Sequence, residues 1–258
     1  MMSEENQKEE FSRLRLLVGE DGVALLRRAR VLLVGVGGVG SWAAEALVRG
    51  GVGHLTMIDY DLVRPSNINR QLHALHSTVG QEKVLAMSAR LRDIAPDTEL
   101  CVRNERLAAA SAAQCVADGP WDVVIDAIDE RPAKLALLAA CVQAGIPIIS
   151  SMGAANKLRA GDICVADIAD SYGCPLAKVI RKQLKKIGIS NGIRVVFSPE
   201  GPVRLENGEF IGSDRELVSE RRPLGSISYM PALFGLRCAA EAIESILRPL
   251  PFSRRGES

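Results

Sequence analysis

The sequence has 258 residues, of which 47% are hydrophobic and only 4% aromatic, so aliphatic side chains must build most of the core. This length suits one α/β domain with an appended segment rather than two independent domains. The formal net charge of +1 excludes an overall field strong enough to draw the whole molecule onto nucleic acid or membrane. Any contact with RNA must therefore come from a local patch.

The cysteines and the hydropathy pattern indicate where the protein works. Six cysteines are scattered through core-like segments and never form a Cys-x-x-Cys pair, which favours reduced thiols. The first ten residues are polar and acidic, unlike a secretory signal. The longest uninterrupted apolar run, Leu135 to Val142, is too short to span a bilayer. We therefore predict a soluble, cytoplasmic protein with no membrane partner.

Helix and strand patterns alternate along the first part of the chain. Helical spacing around Val23–Leu26 precedes the first strand, and three further helices follow. Aliphatic runs predict five strands, at Val31–Val34, Leu55–Ile58, Leu100–Val102, Val123–Ile125 and Ile146–Ser150, with helices from Gly40 to Val48, over Gln81–Ile94 and over Pro132–Gln143. Such alternation is typical of a doubly wound, mainly parallel, Rossmann-like α/β sheet. We assign a nucleotide-binding part to about residues 11–151.

After Ser151 the pattern is less regular and predicts a C-terminal α/β extension. Its elements are a strand at Ile163–Ile168, an amphipathic helix at Pro175–Ile187, a strand at Arg194–Phe197 and a closing helix at Pro231–Leu247. Residues 198–223 are rich in glycine, proline and charge, and predict a mobile loop. We expect one domain over residues 1–258, with a substrate and dimer part at about 152–250.

A glycine-rich loop follows the first strand. Gly35, Gly37 and Gly40 form G-x-G-x-x-G, and Asp59 ends the next strand. Glycines allow a tight turn and a close approach of phosphate to helix N–H groups, and the acid suits ribose hydroxyls. Nucleotide binding is the favoured interpretation; the alternative is a turn that serves only helix–strand packing.

The segments that follow contain more polar groups than a nicotinamide-binding site requires. Residues 59–71 are dense in acids and amides and include Arg70, Lys83 lies near a helix start, and Asp126 and Asp129 follow a strand. Two cations together with amides and acids match the needs of a triphosphate and Mg²⁺. These residues predict ATP with Mg²⁺.

Several ordered motifs together resemble the ubiquitin-activating-enzyme-like family. They are GVGGVGSWAAEAL, D-x-D-x-V-x-x-S-N-x-N-R-Q, V-G-x-x-K and D-A-I-D. The resemblance is strong over about residues 11–170 and looser beyond. It implies an enzyme that adenylates a carboxylate with ATP, a reaction that needs no protein nucleophile.

The resemblance also implies a role for each matching residue. Gly35, Gly37, Gly38 and Gly40 would bring the backbone to ATP, Asp59 would hold the ribose, and Asn67, Arg70 and Lys83 would contact phosphates, with Asp61 in support. Asp129 would bind Mg²⁺. Arg13 would reach the γ-phosphate of a partner subunit's ATP, which implies a homodimer. Arg13, Arg70, Lys83 and Asp129 are the predicted catalytic set, although Arg13 and Lys83 taken alone could be ordinary solvated charges.

Further residues point to one branch of the family. Activators of carrier proteins typically hold a structural zinc with paired Cys-x-x-Cys motifs, which this chain lacks. Residues 150–157 (SSMGAANK), 167–170 (DIAD) and 175–178 (PLAK) resemble tRNA threonylcarbamoyladenosine dehydratases. That resemblance implies adenylation of a threonyl carboxylate on tRNA, closure to a cyclic form, and release of pyrophosphate and AMP.

The helix predicted over 175–187 carries a basic strip. Lys178, Arg181, Lys182 and Lys185 lie beside its apolar stripe and could follow a phosphate backbone. The alternative is a solvated helix face.

Cys174 lies at the start of the same helix, where the helix dipole can activate a thiol. Larger relatives use a cysteine for thioester transfer, but we interpret Cys174 as an incidental residue. The three histidines lack metal-ligand spacing and are interpreted as structural or surface residues.

Other functions stay open at this point. The glycine loop and Asp59 would equally serve a nicotinamide-dependent oxidoreductase. The same adenylation chemistry could activate a ubiquitin-like or sulfur-carrier protein. A third possibility is a non-catalytic nucleotide-binding scaffold for a sulfur-transfer protein, which Arg70, Lys83 and Asp129 together disfavour.

Overall fold

The structure is a computed structural model that describes residues 9–203 and 224–250. Seven strands form one sheet: β1 Arg30–Val34, β2 His54–Ile58, β3 Glu99–Arg103, β4 Val123–Asp126, β5 Ile148–Ser151, β6 Cys164–Asp167 and β7 Arg194–Phe197. The main helices are α1 Ser12–Arg28, α2 Gly40–Arg49, α3 Lys83–Ile94, α4 Ala112–Ala117, α5 Arg131–Ala144, α6 Pro175–Lys186 and α7 Tyr229–Leu247.

The sheet has the order β3-β2-β1-β4-β5-β7-β6. All neighbouring strands are parallel except the edge pair β6 and β7. The chain runs outward from β1 to β2 and β3, and then crosses to β4 on the other side. In open α/β sheets, ligands bind beyond the carboxyl ends of the strands at such a switch point. The fold therefore places a candidate site after β1, β2 and β4.

The two faces of the sheet build two apolar cores. In β1, Val31 and Leu33 face α2, α3 and α7, whereas Leu32 and Val34 face α5 and α6. Because side chains alternate along a strand, a strand covered on both faces needs an unbroken aliphatic run. This explains why β1 and β4 were readable as strands from sequence.

The predicted fold class is confirmed: the sheet is doubly wound and mainly parallel, and its C-terminal α/β extension contributes β6 and β7. Element ends differ by a few residues. The first helix begins earlier than predicted, at Ser12, and Gly19 interrupts it with φ +72°. Of the segment predicted to be a mobile loop, only residues 198–203 are described; residues 204–223, like the tail at 1–8, lie outside the described residues.

Helix α7 completes the wall beside the glycine loop. A Cβ at Gly235 would lie 2.2 Å from the carbonyl oxygen of Val39, so only glycine allows α7 to approach the start of α2 this closely. Pro231, near the start of α7, lies beside Gly38. Within the described ranges, no helix is long and apolar enough to cross a membrane.

Candidate active site

The loop after β1 has glycines at several positions, and the structural reason for glycine differs from one position to the next. Gly35 has φ +93°, and a Cβ there would lie 2.7 Å from the carbonyl oxygen of Ala127. A Cβ at Gly40 would lie 1.8 Å from the carbonyl oxygen of Gly35. Gly37 is open, with only the side-chain nitrogen of Gln71 nearby. The outer two glycines therefore close the turn and pack it, and the middle one leaves room for a ligand.

Asp59 fixes the loop that follows β2. Its Oδ2 accepts a hydrogen bond from the backbone N–H of Val36 (2.7 Å), and its Oδ1 accepts one from the N–H of Asp61 (2.9 Å). The carboxylate thus ties the glycine loop to the end of β2. Each oxygen has a second lone pair, so Asp59 can still accept hydrogen bonds from ribose hydroxyls.

Lys83 lies at the first position of α3 and is buried. Its Nζ is 2.7 Å from Oδ2 of Asp61, and its backbone N–H donates to the carbonyl oxygen of Asp61. The half-exposed side chain of Asp61 supplies the counter-charge. The two predicted residues are thus adjacent, and the ammonium group is held in one place.

Arg70 is half-buried beside the glycine loop. Its Nη1 donates to the carbonyl oxygen of Ser66 (2.8 Å) and to Oδ1 of Asn69 (2.9 Å). Burial lowers the pKa of the Arg70 guanidinium, which nevertheless stays protonated because an arginine in a protein does not lose its proton. A Cβ at Gly38 would lie 3.4 Å from Cγ of Arg70, so this glycine makes room for the arginine.

Asn67 is buried in the turn before Arg70. Its Oδ1 accepts a hydrogen bond from the N–H of Arg64 at 3.0 Å, which caps a short 3₁₀ turn. The amide therefore has a structural task besides any contact with a phosphate.

Asp129 lies in the loop after β4, and its side chain is exposed. Among the described residues it makes no hydrogen bond or ion pair, and no three metal-binding side chains cluster there or elsewhere. Mg²⁺ commonly takes one or two carboxylates together with phosphate oxygens and water, so a single open carboxylate fits this ion.

At the switch point, then, a glycine loop, two fixed cations and a free carboxylate come together. This set can hold a triphosphate and neutralise charge on the oxygens that do not react. The matching family model covers residues 11–256 and is described as the ThiF family. The chain belongs to the ThiF family.

Two relatives match the chain over different extents. A tRNA threonylcarbamoyladenosine dehydratase from Bacillus subtilis is 40% identical over 248 residues, covering 95% of this chain and 97% of the relative. A molybdopterin-synthase adenylyltransferase from Escherichia coli is 37% identical, but over 154 residues and 60% of each chain.

A solved structure matches over the same extent. The Escherichia coli tRNA N6-threonylcarbamoyladenosine dehydratase, TcdA, in complex with ATP, superposes with a TM-score of 0.84 at 33% identity. The match covers 96% of this chain and 98% of that one.

Arg13 is not brought to the site of its own chain. It is exposed near the start of α1, where its neighbours Phe11 and Leu14 lie beside Gly51, just before β2 begins. The candidate site lies at the opposite ends of the strands, about 15 Å away for a five-residue strand. Arg13 therefore does not contribute to the candidate site of its own chain.

Sequence reasoning missed several side chains around the site. Arg106 pairs with Glu130 at 2.8 Å and covers the ring of Tyr60, so it lies at the mouth of the site. His73 is buried with no partner for either ring nitrogen in the described chain, and burial, with a smaller effect from Lys83, lowers its pKa to about 4. Arg106 and His73 belong to no motif whose spacing could have revealed them, and Tyr60 occupies a variable position of the D-x-D motif.

The basic strip of α6 differs from the prediction at one position. One guanidinium nitrogen of Arg181 donates to the carbonyl oxygen (2.5 Å) and the hydroxyl oxygen (2.7 Å) of Ser171, so this side chain stabilises the turn before α6. Lys178, Lys182 and Lys185 are exposed. At spacings of four and three residues, these lysines lie on one side of the helix.

Cys174 is the N-cap residue of α6 and is buried, with 3% of its surface exposed. It packs in the core formed with α5 and α6. Burial on this scale leaves little access for a bulky substrate, in keeping with the interpretation of Cys174 as a residue without a catalytic task.

Proposed function

We propose that this protein is an ATP-dependent tRNA threonylcarbamoyladenosine dehydratase. The observation that carries the proposal is the extent of the match to dehydratases, because it covers 95% of the chain whereas the match to a molybdopterin-synthase adenylyltransferase covers only 60%. The site at the switch point supports the adenylation step. A nicotinamide enzyme would have no use for a fixed Lys83, a half-buried Arg70 and an open Asp129 at the same strand ends.

ATP binds with its phosphates over the glycine loop and its ribose on Asp59. Arg70 and Lys83 contact phosphate oxygens, Asn67 contributes its amide, and Asp61 keeps Lys83 oriented. Because these cations are held by neighbouring groups before ATP arrives, little reorganisation is needed when charge moves to the leaving group.

Asp129 would hold Mg²⁺ at the phosphates of ATP. The bound ion supplies charge neutralisation at the phosphates. The chain's own part is the loop after β4, which carries the exposed Asp129 carboxylate and packs against Gly35 of the glycine loop through Ala127.

The reaction has two steps that balance in atoms. An oxygen of the threonyl carboxylate attacks the α-phosphorus, the bond to the β-phosphate bridging oxygen breaks, and pyrophosphate leaves. A nitrogen or oxygen of the modified base then attacks the activated carbonyl carbon and loses its proton. AMP departs with the carboxylate oxygen, so the tRNA loses the elements of water.

The two parts of the chain divide these tasks. Residues 11–151 bind ATP, and residues 152–250 contact the tRNA and the second subunit of a homodimer. Arg13 of one subunit serves the ATP of the other; support for this comes from its distance from the site of its own chain. The exposed lysines of α6 follow the tRNA phosphate backbone.

The reaction takes place in the cytoplasm, where the six free thiols stay reduced.

A sulfur-transfer protein as a further partner stays a prediction. It rests on the likeness of 60% of the chain to a molybdopterin-synthase adenylyltransferase.

The test is the reaction itself. tRNA carrying threonylcarbamoyladenosine is incubated with the protein, ATP and Mg²⁺, and its nucleosides are analysed by mass spectrometry. We expect the modified nucleoside to lose about 18 Da, the mass of one water, with one AMP per product, as adenylation followed by ring closure requires. NAD in place of ATP, or a sulfur-carrier protein in place of tRNA, should give no AMP; adenylation of the carrier protein alone would favour the activator function.

A further inference from the structure

Lys134 is a fully buried lysine that the adenylation chemistry does not use. It lies on α5, and its side chain has 0% exposed surface. Its ammonium group donates to Oδ2 of Asp126 (2.5 Å), to the carbonyl oxygen of Ser151 (2.9 Å) and to Oγ of Ser150 (3.2 Å). All three of its N–H bonds thus have a partner.

Asp126 is equally buried, and both of its carboxylate oxygens accept hydrogen bonds. Its Oδ2 also accepts a hydrogen bond from the hydroxyl of Ser150 at 2.6 Å, and its Oδ1 accepts one from the backbone N–H of Ile128 at 3.0 Å. The network therefore joins α5 to the carboxyl ends of β4 and β5.

Stability alone is a weak reason for such a network. The desolvation of two buried charges offsets most of their attraction, and well-packed apolar residues often serve a core as well or better. A fixed geometry is what the polar version adds, because each hydrogen bond has a direction. Ser151, moreover, is bound through its backbone carbonyl, so the network fixes main-chain positions.

The two chain segments that leave this network are those that the reaction must align. One is the loop from Asp126 to Asp129, whose Ala127 packs against Gly35 of the glycine loop. The other begins at Ser151 and continues into residues 152–157, in the part of the chain that binds the tRNA substrate.

We infer that Lys134 is a positioning residue that sets the loop of Asp129 and the segment after Ser151 in register for adenylation. This inference rests on the proposed function. A shift of about 1 Å between two reacting groups can cost about a hundredfold in rate.

The experiment uses the full chain and three variants. Lys134→Met leaves the Asp126 carboxylate unpaired and should lower the melting temperature. Lys134→Met combined with Asp126→Asn removes both charges, and the new amide can still accept from Ile128 and donate to Ser150, so stability should largely return. Leu137→Ala, one turn further along α5 and fully buried, is the stability-matched control that leaves the network intact.

For each variant, AMP release is measured per folded molecule, and the rise in melting temperature on ATP binding is measured with EDTA and with Mg²⁺. In EDTA, we expect ATP to raise the melting temperature of the double variant as much as that of the wild type. The double variant should lose most of the additional rise in melting temperature that Mg²⁺ gives. It should also release AMP about tenfold to a hundredfold more slowly. Leu137→Ala should keep the Mg²⁺-dependent rise and the wild-type rate per folded molecule.

A double variant with the wild-type rate and the wild-type Mg²⁺-dependent rise would show that Lys134 serves the core alone, and would overturn the inference. Should the double variant not fold, Ser150→Ala removes one hydroxyl and keeps the ion pair; it must then show the same defects to a smaller degree, and wild-type behaviour would overturn the inference as well. If the wild type fails to act on tRNA, the proposed function fails, and the Mg²⁺-dependent rise still tests the role of Lys134.

Discussion

The nucleotide site and the basic face of α6 are both rich in charge, but they hold it differently. At the strand ends, Lys83 is buried against Asp61, and Arg70 donates to two fixed oxygens. On α6, Lys178 and Lys182 extend into solvent, and the one cation with fixed partners, Arg181, stabilises a turn of its own chain. Fixed charges suit a transition state with defined geometry, whereas solvated charges suit a phosphate backbone that tolerates many arrangements. Changes in the first region should therefore affect the chemistry, and changes in the second should affect salt-dependent binding.

The largest effect is expected at Asp129. Asp129→Ala should keep the fold, because the side chain is exposed and makes no bond in the described chain. It should remove about 3 kcal/mol or more of transition-state stabilisation, roughly a hundredfold or more in AMP release. Asp93→Ala, which removes an exposed carboxylate on α3, is the matched control and should be neutral. Wild-type AMP release by Asp129→Ala would refute the assignment.

The next effect tests whether the nucleotide site is shared between subunits. Arg13→Ala alone should be nearly inactive, because each site then lacks its partner's guanidinium. Mixing it with Asp129→Ala should restore activity, because each mixed dimer has one intact site; random exchange would give about a quarter of the wild-type sites. Activity is measured before and after subunit exchange, which mass spectrometry of the intact dimers verifies. No recovery after complete exchange would exclude sharing.

Features that depend on contiguous sequence patterns could be predicted, whereas contacts that depend on the packing of distant segments could not. The strands β1 and β4 are buried on both faces, so their aliphatic runs were visible, and the glycines and acids that follow them belong to ordered motifs. The network of Lys134 could not be foreseen, because Lys134 lies eight positions after Asp126 in the chain and only the packing of α5 on the sheet brings the two side chains together. The error at Arg181 has a similar cause: helical spacing places it beside the lysines, but the turn that recruits it comes from residues before the helix.

A smaller effect is expected on the basic face of α6. Replacing Lys178 and Lys182 together with Ala should weaken tRNA binding and flatten the log–log salt dependence by about 1.5 to 2 units, one released counterion or slightly less per contact. Binding of ATP should not change. The control Arg92→Ala with Arg248→Ala removes the same charge from an exposed position on α3 and from the exposed residue that follows α7. An unchanged salt dependence in the lysine variant would mean that α6 presents a solvated face and that the RNA lies elsewhere.

The smallest effect is expected at Cys174. Because its thiol is buried in the core of α5 and α6, Cys174→Ser should cost some stability and leave cyclisation per folded molecule near the wild-type rate. The measurement is product formation, together with a search for a thiol-sensitive protein adduct. An inactive variant that still binds ATP would instead indicate transfer through a thioester.

The central claim is that ATP activates the tRNA carboxylate at its α-phosphate, and the path of one oxygen atom tests it most directly. tRNA with ¹⁸O in the threonyl carboxylate is converted with the protein, ATP and Mg²⁺, and the released nucleotide and phosphates are analysed by mass spectrometry. The account predicts one ¹⁸O in AMP and none in pyrophosphate. Label in inorganic phosphate accompanied by ADP would contradict it, because the carboxylate would then have been activated by phosphorylation.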